Sequence, residues 1–441
     1  MDLDDLDFIR CPFCGGDFDV AALDQRGREL RHGFLSCACD RYPVVAGIPV
    51  LRKDRRALLD EVRGALHRGR PEAAFTALVA PPLPRGLENG LRRPAARRLV
   101  RRLHQRLRRP RFRRLGPATD YGEGGGSTAA ELLELYCDGS PEDYYYLAYR
   151  FGHPRHLVAL ALGSLARRTP GPLLDLGCGC GHVAFNLRHV APGESIVGVD
   201  TFYFGLWLAA HRLAPGGTYV CCRAGHPLPF PDGFFAGALC VDSLHYFRGK
   251  VAAARGLVRA VGRRGPIVVT GMHNRNVVRA LQFGEPLTPA GYSRLFAGLP
   301  HRMLADERVL ERYLAGTAPD LAAGDDPEAL ARAPLISLVA SEDPSAFDGA
   351  ARSREPRPHC AGPPAWNPLY ARRRVGGEIE LTLRFPSPAF AADQPMMSRY
   401  LPGSVRVPAE VDDEIGRREW TGRLRRLADR FVVLAMPDRF V

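Results

Sequence analysis

The stretch LLDLGCGCGH at residues 173–182 limits the possible folds of this chain more than any other. It begins as a buried-strand pattern, continues through Gly177, Gly179 and Gly181, and ends in a segment of helical character. Glycine lets the backbone turn sharply and lets a ligand approach more closely than a side chain would permit. The stretch therefore predicts a strand joined to a helix by a turn that can hold a ligand.

Strand-length apolar runs alternate with helix-like stretches around this turn. Alternation of this kind predicts a mostly parallel sheet covered by helices on both faces, and hence an α/β domain over residues 126–400. Two later segments, LISLVA at 335–340 and EIELTLRF at 378–385, are expected to supply the last two strands of the sheet. The earlier runs occupy residues 173–176, 195–199, 218–222, 236–241 and 267–270.

The spacing of the glycines separates two classes of nucleotide site. A dinucleotide fingerprint, G-x-G-x-x-G, would require glycine at position 182, where this chain has His182. The observed G-x-G-x-G spacing, preceded by Asp175, resembles motif I of class I S-adenosylmethionine-dependent methyltransferases. The resemblance implies a Rossmann-like fold with an antiparallel edge pair. It also implies that the turn, which includes Cys178, wraps the amino acid and ribose parts of the cofactor.

Two further segments extend this resemblance. Asp200 ends the next apolar run, where an acidic side chain can accept hydrogen bonds from two ribose hydroxyls, and Thr201 follows it. The segment LPFPD at 228–232 resembles the small-molecule branch of the family, methyltransferase type 11. Members of that branch usually carry an aspartate for the adenine amino group where this chain has Ala224. The resemblance therefore implies adenine contacts from the backbone around Ala224 and Gly225.

Residues just after the fourth and fifth apolar runs are the candidates for catalysis, because ligands of open α/β sheets lie beyond the carboxyl ends of the strands. His245 is the first candidate for a general base and His273 the second, although either could simply cap or pack a strand end. Asp242 is a further expected cofactor residue. An aromatic cluster ahead of the domain could cover the pocket or pack the core: Tyr144, Tyr145, Tyr146, Tyr149 and Phe151.

Four cysteines near the amino terminus form two close pairs, Cys11 with Cys14 and Cys37 with Cys39. Four thiolates suit a tetrahedral zinc site, although the second pair has the tighter spacing C-x-C. Residues 1–51, which close with YPVVAGIPVL, resemble the zinc-ribbon domains that precede many bacterial methyltransferases. The resemblance implies a small β domain with a structural zinc. A metal-free ribbon or a hairpin with reduced cysteines is the alternative.

The net charge of +13 is concentrated in one segment. Residues 85–115 hold thirteen arginines and one glutamate, a local charge of +12, within an Arg/Pro-rich linker over 52–125. A helix there would place Leu99, Leu103 and Leu107 on one face. That helix could pack on the main domain, or bind a phosphate-rich polymer or an anionic membrane surface.

The amino terminus is acidic and the sequence has no apolar run of bilayer length, so we expect a cytoplasmic protein without a transmembrane segment. The leading hypothesis is a methyltransferase that acts on a small or medium-sized metabolite. An rRNA or tRNA methyltransferase is the alternative of the same chemistry, and a non-catalytic cofactor-binding scaffold or partner protein is the alternative of another class. Residues 401–441 form a carboxyl-terminal extension that could cover the active site or form a homo-oligomer contact.

Overall fold

The computed structural model describes residues 1–79, 127–137, 140–167, 170–190, 193, 195–263, 265–278, 284–348 and 358–441. The predicted arginine-rich helix at 85–115 lies outside these residues. Among the described helices, none combines the length and the apolar composition needed to cross a lipid bilayer.

The first sheet is antiparallel with the strand order β1-β2-β3-β4, which confirms the predicted small β domain. Two helices follow it, and the first buries Leu59, Val62 and Leu66, which share one face because they recur at helical spacing. The strands are β1 (Asp19–Arg26), β2 (Glu29–Cys37), β3 (Asp40–Val45) and β4 (Ile48–Pro49), and the helices are α1 (Arg56–His67) and α2 (Pro71–Val79).

The central sheet has seven strands in the order β10-β11-β9-β8-β5-β6-β7. Strands β5 to β9 run parallel, while β11 is antiparallel to both of its neighbours. The predicted α/β class, a mostly parallel sheet with antiparallel pairing at one edge, is confirmed. The strands are β5 (Leu173–Leu176), β6 (Ile196–Asp200), β7 (Thr218–Cys221), β8 (Gly237–Val241), β9 (Ile267–His273), β10 (His301–Ala305) and β11 (Leu335–Ala340).

Helices cover both faces of this sheet and bury two separate apolar cores against it. Leu173 contributes to one core and Leu174 to the other, because neighbouring strand residues point to opposite faces. The helices of this region are α3 (Ala129–Tyr136), α4 (Pro141–Ala148), α5 (Pro154–Gly163), α6 (His182–Val190), α7 (Tyr203–Leu208), α8 (Lys250–Val261), α9 (Pro289–Leu295), α10 (Asp306–Leu314) and α11 (Pro327–Arg332).

The remaining strands form two small antiparallel sheets, β12-β16 and β13-β14-β15. They are connected by four short helices. The strands are β12 (Pro364–Trp366), β13 (Tyr370–Val375), β14 (Glu378–Leu383), β15 (Ser404–Pro408) and β16 (Val433–Ala435), and the helices are α12 (Pro388–Asp393), α13 (Met397–Tyr400), α14 (Glu410–Gly416) and α15 (Gly422–Ala428).

The prediction that EIELTLRF closes the main sheet is wrong, because β14 pairs with β13 and β15 instead. Strand β14 buries alternate residues and places Glu380 against Arg373 and Arg406, which suits a sheet with one solvated face. The strand of the main sheet that was not predicted is β10. Its first two residues, His301 and Arg302, are polar, so its sequence is not a continuous apolar run. The boundary predicted at residue 401 falls within the sheet formed by β14 and β15.

Candidate active site

The turn after β5 adopts backbone conformations that favour glycine. Gly177, Gly179 and Gly181 have φ values of 81°, 55° and 80°. A Cβ atom added at Gly177 would lie 2.6 Å from the side chain of Ser243, and one at Gly181 would lie 2.8 Å from Cβ of Ala209. Both positions therefore need glycine for space as well as for conformation.

Asp200, at the end of β6, is held against this turn. Its Oδ2 accepts a hydrogen bond from the backbone N–H of Gly179 at 2.9 Å. Its Oδ1 accepts from the backbone N–H groups of Thr201 at 2.6 Å and Phe202 at 2.9 Å. The three donors fix the orientation of the carboxylate at the carboxyl edge of the sheet.

A cavity of about 300 Å³ opens beside the glycine turn, and we call it the turn cavity. It is bounded by the carboxyl ends of β5, β6 and β7 and by the loop after β8. Five predicted cofactor residues line it: Gly177, Asp200, Thr201, Ala224 and Gly225. Cys178, Gly179 and Gly181 belong to the turn but are not among the residues that line the cavity.

Asp175 lies behind the turn and not in the cavity wall. Only 2% of the residue is exposed, and its Oδ1 has no hydrogen-bond partner among the described residues. Burial, together with the neighbouring charge of Asp200, raises the pKa of the Asp175 carboxyl to about 7. A predicted cofactor residue thus lies inside the protein, where its charged form is unfavourable.

Asp242 follows β8 and is buried in a network of cations. Its Oδ2 lies 3.3 Å from Nη1 of Arg150 and 3.1 Å from Nη1 of Arg155, and it accepts a hydrogen bond from the hydroxyl of Tyr146. Burial opposes ionisation, but the two guanidinium groups hold the pKa of the Asp242 carboxyl well below its usual range. The structure places this predicted cofactor residue in an ion-pair network and not in the wall of the turn cavity.

The two candidate histidines meet beside Asp242. The ring centroids of His245 and His273 are 4.6 Å apart. Both ring nitrogens of His245, and Nδ1 of His273, lack a hydrogen-bond partner within the part of the chain that the structure describes. Burial lowers the pKa of His245 to about 3 and that of His273 to about 4, so both rings are neutral at pH 7.

Ligand atoms of Asp242, His245 and His273 lie within 4.8 Å of one another, as the ligands of a metal ion would. The carboxylate, however, already faces the guanidinium groups of Arg150 and Arg155. A divalent cation placed there would add to an existing excess of buried positive charge. The cluster therefore suits two neutral imidazoles better than a metal ion.

A second cavity, of about 530 Å³, adjoins the turn cavity, and we call it the tyrosine cavity. Tyr246 lines both cavities. His273 also lines the tyrosine cavity, whereas His245 lines neither of the two. The other residues around the tyrosine cavity are Glu142, Asp143, Tyr145, Tyr146, His153, Arg155, Ser387, Ala389, Phe390, Asp393 and Gln394.

The predicted aromatic cluster is divided between this cavity and the core. Tyr145 and Tyr146 line the cavity. Phe151 is buried instead, with its ring centroid 4.9 Å from that of Phe440 and 5.4 Å from that of Phe185. The core-packing alternative thus holds for Phe151, whereas Tyr145 and Tyr146 form part of the cavity wall.

The four amino-terminal cysteines converge on one point and are all free thiols. The Sγ atoms of Cys11 and Cys39 lie 3.5 Å apart, those of Cys14 and Cys37 lie 3.7 Å apart, and those of Cys37 and Cys39 lie 3.4 Å apart. Zinc with Zn–S bonds of about 2.3 Å in tetrahedral geometry separates its sulfur ligands by about 3.8 Å. The residues present therefore fit a zinc ion, and the C-x-C spacing does not prevent the convergence.

Sequence reasoning missed the arginines around Asp242 and the segment that follows the amino-terminal sheet. Arginine accounts for all basic residues except Lys53 and Lys250, so no single arginine stands out in the sequence. For the segment Arg52 to Arg55, one sequence feature could have pointed to the site: the segment comes directly after the closing phrase YPVVAGIPVL of the amino-terminal domain. Three of its residues line the turn cavity: Arg52, Asp54 and Arg55.

Several solved structures resemble part of this chain. A putative methyltransferase from Bacillus halodurans is 15% identical and matches 41% of this chain and 96% of its own, with a TM-score of 0.28. A possible histamine N-methyltransferase from Thermotoga maritima is 15% identical and matches 46% of this chain and 95% of its own, with a TM-score of 0.32. The plantazolicin methyltransferase BpumL, solved with SAH and a triazolic desmethylPZN analog, is 14% identical and matches 48% of this chain and 95% of its own, with a TM-score of 0.34.

No curated protein matches the chain in sequence. Residues 173–265, however, match a family model described as a methyltransferase domain. This span begins with β5 and contains the glycine turn, Asp200 and the LPFPD segment, which are the features that carry the predicted resemblance. This match identifies residues 173–265 as a methyltransferase domain, and the strand order of the central sheet agrees with the predicted Rossmann-like fold.

Proposed function

We propose that the protein transfers the methyl group of S-adenosylmethionine to a small or medium-sized metabolite bound in the tyrosine cavity. The observation that carries this proposal is that Tyr246 lines both cavities at the carboxyl edge of the sheet. Ligands in the two cavities would therefore lie against each other. A further cavity of about 690 Å³ shares Arg155, His273, Asp393 and Gln394 with the tyrosine cavity, which leaves room for a larger acceptor.

In this proposal the turn cavity holds the cofactor. Asp200 accepts a hydrogen bond from a ribose hydroxyl at the lone-pair site on Oδ2 that its three backbone donors leave open. The glycine turn lets the amino acid part approach the backbone. Ala224 and Gly225 lie beside the adenine. The bound cofactor supplies an activated methyl group, so the remaining task of the protein is to align the acceptor and exclude water.

His273 is the side chain that we propose to orient the acceptor atom. Its ring lines the tyrosine cavity and is neutral near pH 7, so an unprotonated nitrogen can accept a hydrogen bond from an N–H or O–H group. That bond would turn a lone pair of the acceptor toward the turn cavity. A pKa of about 4 makes the ring a weak base, so orientation is the better role for it than removal of a proton from a hydroxyl.

The charge around the tyrosine cavity favours a neutral or cationic acceptor over a phosphate-rich one. Glu142, Asp143 and Asp393 line it. The arginine among its described lining residues, Arg155, is already paired with Asp242. Phosphate groups of RNA would meet carboxylates here, and RNA methylation is therefore the second candidate.

We also propose that Cys11, Cys14, Cys37 and Cys39 bind a structural zinc ion. Their sulfur separations of 3.4 to 3.7 Å support this proposal. Four protein ligands leave no open position at the metal, so it would stabilise the fold and take no part in the methyl transfer.

Binding and turnover should be measured separately. Calorimetry with SAH is expected to show one site per chain, which Asp200→Ala abolishes and which Asp60→Ala, an exposed control on α1, leaves intact. A screen of candidate acceptors with labelled cofactor would then identify the substrate. With that substrate, His273→Gln should lower kcat about 100-fold or more without changing the Kd for SAH.

Two results would contradict the proposal. Failure of the wild-type protein to bind SAH would refute the placement of the cofactor. Methyl transfer to RNA fragments, with none to any small acceptor, would refute the proposed substrate class and favour the second candidate.

A further inference from the structure

The segment that follows the amino-terminal sheet forms part of the wall of the turn cavity. Val50 forms a parallel bridge with Cys221, and the N–H of Leu51 donates to the carbonyl of Cys221 at 2.9 Å. These contacts extend the central sheet beyond its edge strand β7. They carry the next residues, Arg52 and Asp54, across the carboxyl edge of the sheet, where both line the turn cavity.

Arg52 and Asp54 form a fixed unit at this wall. Nε and Nη2 of Arg52 donate to Oδ1 and Oδ2 of Asp54 at 2.9 and 2.7 Å, and Nη1 donates to the carbonyl of Thr201 at 3.2 Å. Nη1 of Arg223 donates to Oδ2 of Asp54 at 3.1 Å. The carboxylate is thus held between the loops that follow β6 and β7, and both loops line the cavity.

The Asp54 carboxylate has capacity for another hydrogen bond. A carboxylate offers about four lone-pair sites, and the arginine donors use one site on Oδ1 and two on Oδ2. The side chain is 27% exposed, and the hydrogen bond from Arg52 lowers its pKa to about 2, so it is charged at neutral pH. The backbone N–H of Asp54 also lies near the carboxylate. Oδ1, which accepts one hydrogen bond from an arginine where Oδ2 accepts two, is the oxygen better able to accept another from a donor in the cavity.

Few other side chains of the turn cavity could accept a hydrogen bond from an amino group. The carboxylates among its described lining residues are Asp54 and Asp200. Asp200 lies at the glycine turn, and Oδ2 of its side chain is engaged by Gly179. Ala224 and Gly225, which come directly after Arg223 in the cavity wall, have no side-chain acceptor.

We infer that Asp54 recognises the exocyclic amino group of the cofactor's adenine, so that the segment directly after the amino-terminal domain supplies a specificity-determining residue of the methyltransferase site. The inference rests on the proposed placement of the cofactor in the turn cavity. Arg52 and Arg223 position the carboxylate, and neither Ala224 nor Gly225 has a side chain that could take this role.

Two cofactor analogues test this inference. SAH carries an amino group at position 6 of the purine, whereas S-inosylhomocysteine carries a carbonyl oxygen there. The wild-type protein should bind SAH about tenfold more tightly or better, because the carbonyl oxygen would face a charged carboxylate. Asp54→Asn should reduce this preference to about threefold or less, since an amide can donate to the carbonyl as well as accept from the amine. Asp60→Asn is the matched control and should keep the wild-type preference.

The outcomes separate this inference from the proposed function. If the wild-type protein binds neither analogue, the placement of the cofactor is wrong and the inference falls with it. If it binds SAH, and Asp200→Ala abolishes that binding, the placement stands. The inference alone is then overturned by equal wild-type affinity for the two analogues, a result that needs no folded variant. It is also overturned by a full preference for SAH in a folded Asp54→Asn protein.

Discussion

Replacing Asp175 by asparagine is expected to stabilise the protein at neutral and alkaline pH. Burial and the charge of Asp200 raise the pKa of the Asp175 carboxyl from 3.8 to about 7. Each displacement of a pKa by one unit corresponds to about 1.4 kcal/mol, so the charged carboxylate costs the folded state about 4 kcal/mol. Asparagine has nearly the same shape as the protonated acid and carries no charge.

The proton on Asp175 determines how the stability advantage of Asp175→Asn changes with pH. Between about pH 4 and pH 7 the folded protein keeps a proton on Asp175 that the unfolded chain has released. The contribution of this proton to stability is complete below the unfolded pKa and is lost as the pH rises through the folded pKa. The advantage of Asp175→Asn over the wild type in the free energy of unfolding should therefore grow by up to about 4 kcal/mol between pH 4 and pH 8.

Urea unfolding, followed by circular dichroism at several pH values without cofactor, measures this difference. Asp60→Asn, which removes an exposed carboxylate on α1, should show no comparable growth with pH. Asp200→Asn should reduce the effect of Asp175→Asn only in part, because burial is the larger cause of the raised pKa. A constant difference between Asp175→Asn and the wild type at all pH values would refute the reasoning.

Three further predictions concern the metal, the glycine turn and the buried ion pairs. Treatment with a chelator, or the variant Cys14→Ser, should release about one equivalent of the proposed zinc and weaken SAH binding, because the segment after the amino-terminal sheet lines the turn cavity; unchanged affinity in metal-free protein would contradict this. Gly181→Ala should lower the free energy of unfolding by about 2 to 4 kcal/mol, whereas Gly179→Ala, whose added Cβ meets no atom within 4 Å, should lower it by only about 1 kcal/mol; equal losses in urea unfolding would show that the contact between position 181 and Ala209 is unimportant. Arg150→Met should cost about 3 kcal/mol, because it leaves the buried Asp242 with less compensation; an unchanged Tm would contradict it.

Features whose geometry depends on a few neighbouring residues could be predicted from the sequence. The turn with Gly177, Gly179 and Gly181 is a strand-to-helix connection of a few residues, and its backbone requirements are met by the glycines themselves. Asp200 was predicted for a similar reason, since the end of β6 is fixed by its apolar run. The four cysteines also converge as predicted, but only the spacing within each pair is local, because Cys11 meets Cys39 and Cys14 meets Cys37 across more than twenty residues.

The direction in which a side chain points was harder to predict than the strand or turn on which it lies. A strand that is covered on both faces has no polar side in its sequence, so nothing in LLDL shows that Asp175 points into the protein and away from the turn cavity. The same limitation explains β10, whose polar first residues conceal its place at the edge of the sheet. The contacts of Arg52 and Asp54 with Thr201 and Arg223 join parts of the chain far apart in sequence, and only the folded arrangement reveals them.

The bridge between Val50 and Cys221 also bears on how the protein can be divided. Strand β7 lies at the edge of the central sheet, and Val50 and Leu51 pair with its last residue, Cys221. A fragment that begins near residue 126 would expose the row of unpaired backbone groups along β7, a ready template for pairing with other chains. Such a fragment is expected to aggregate, although it contains every strand of the central sheet, so the catalytic domain and the small amino-terminal domain should be produced as one chain.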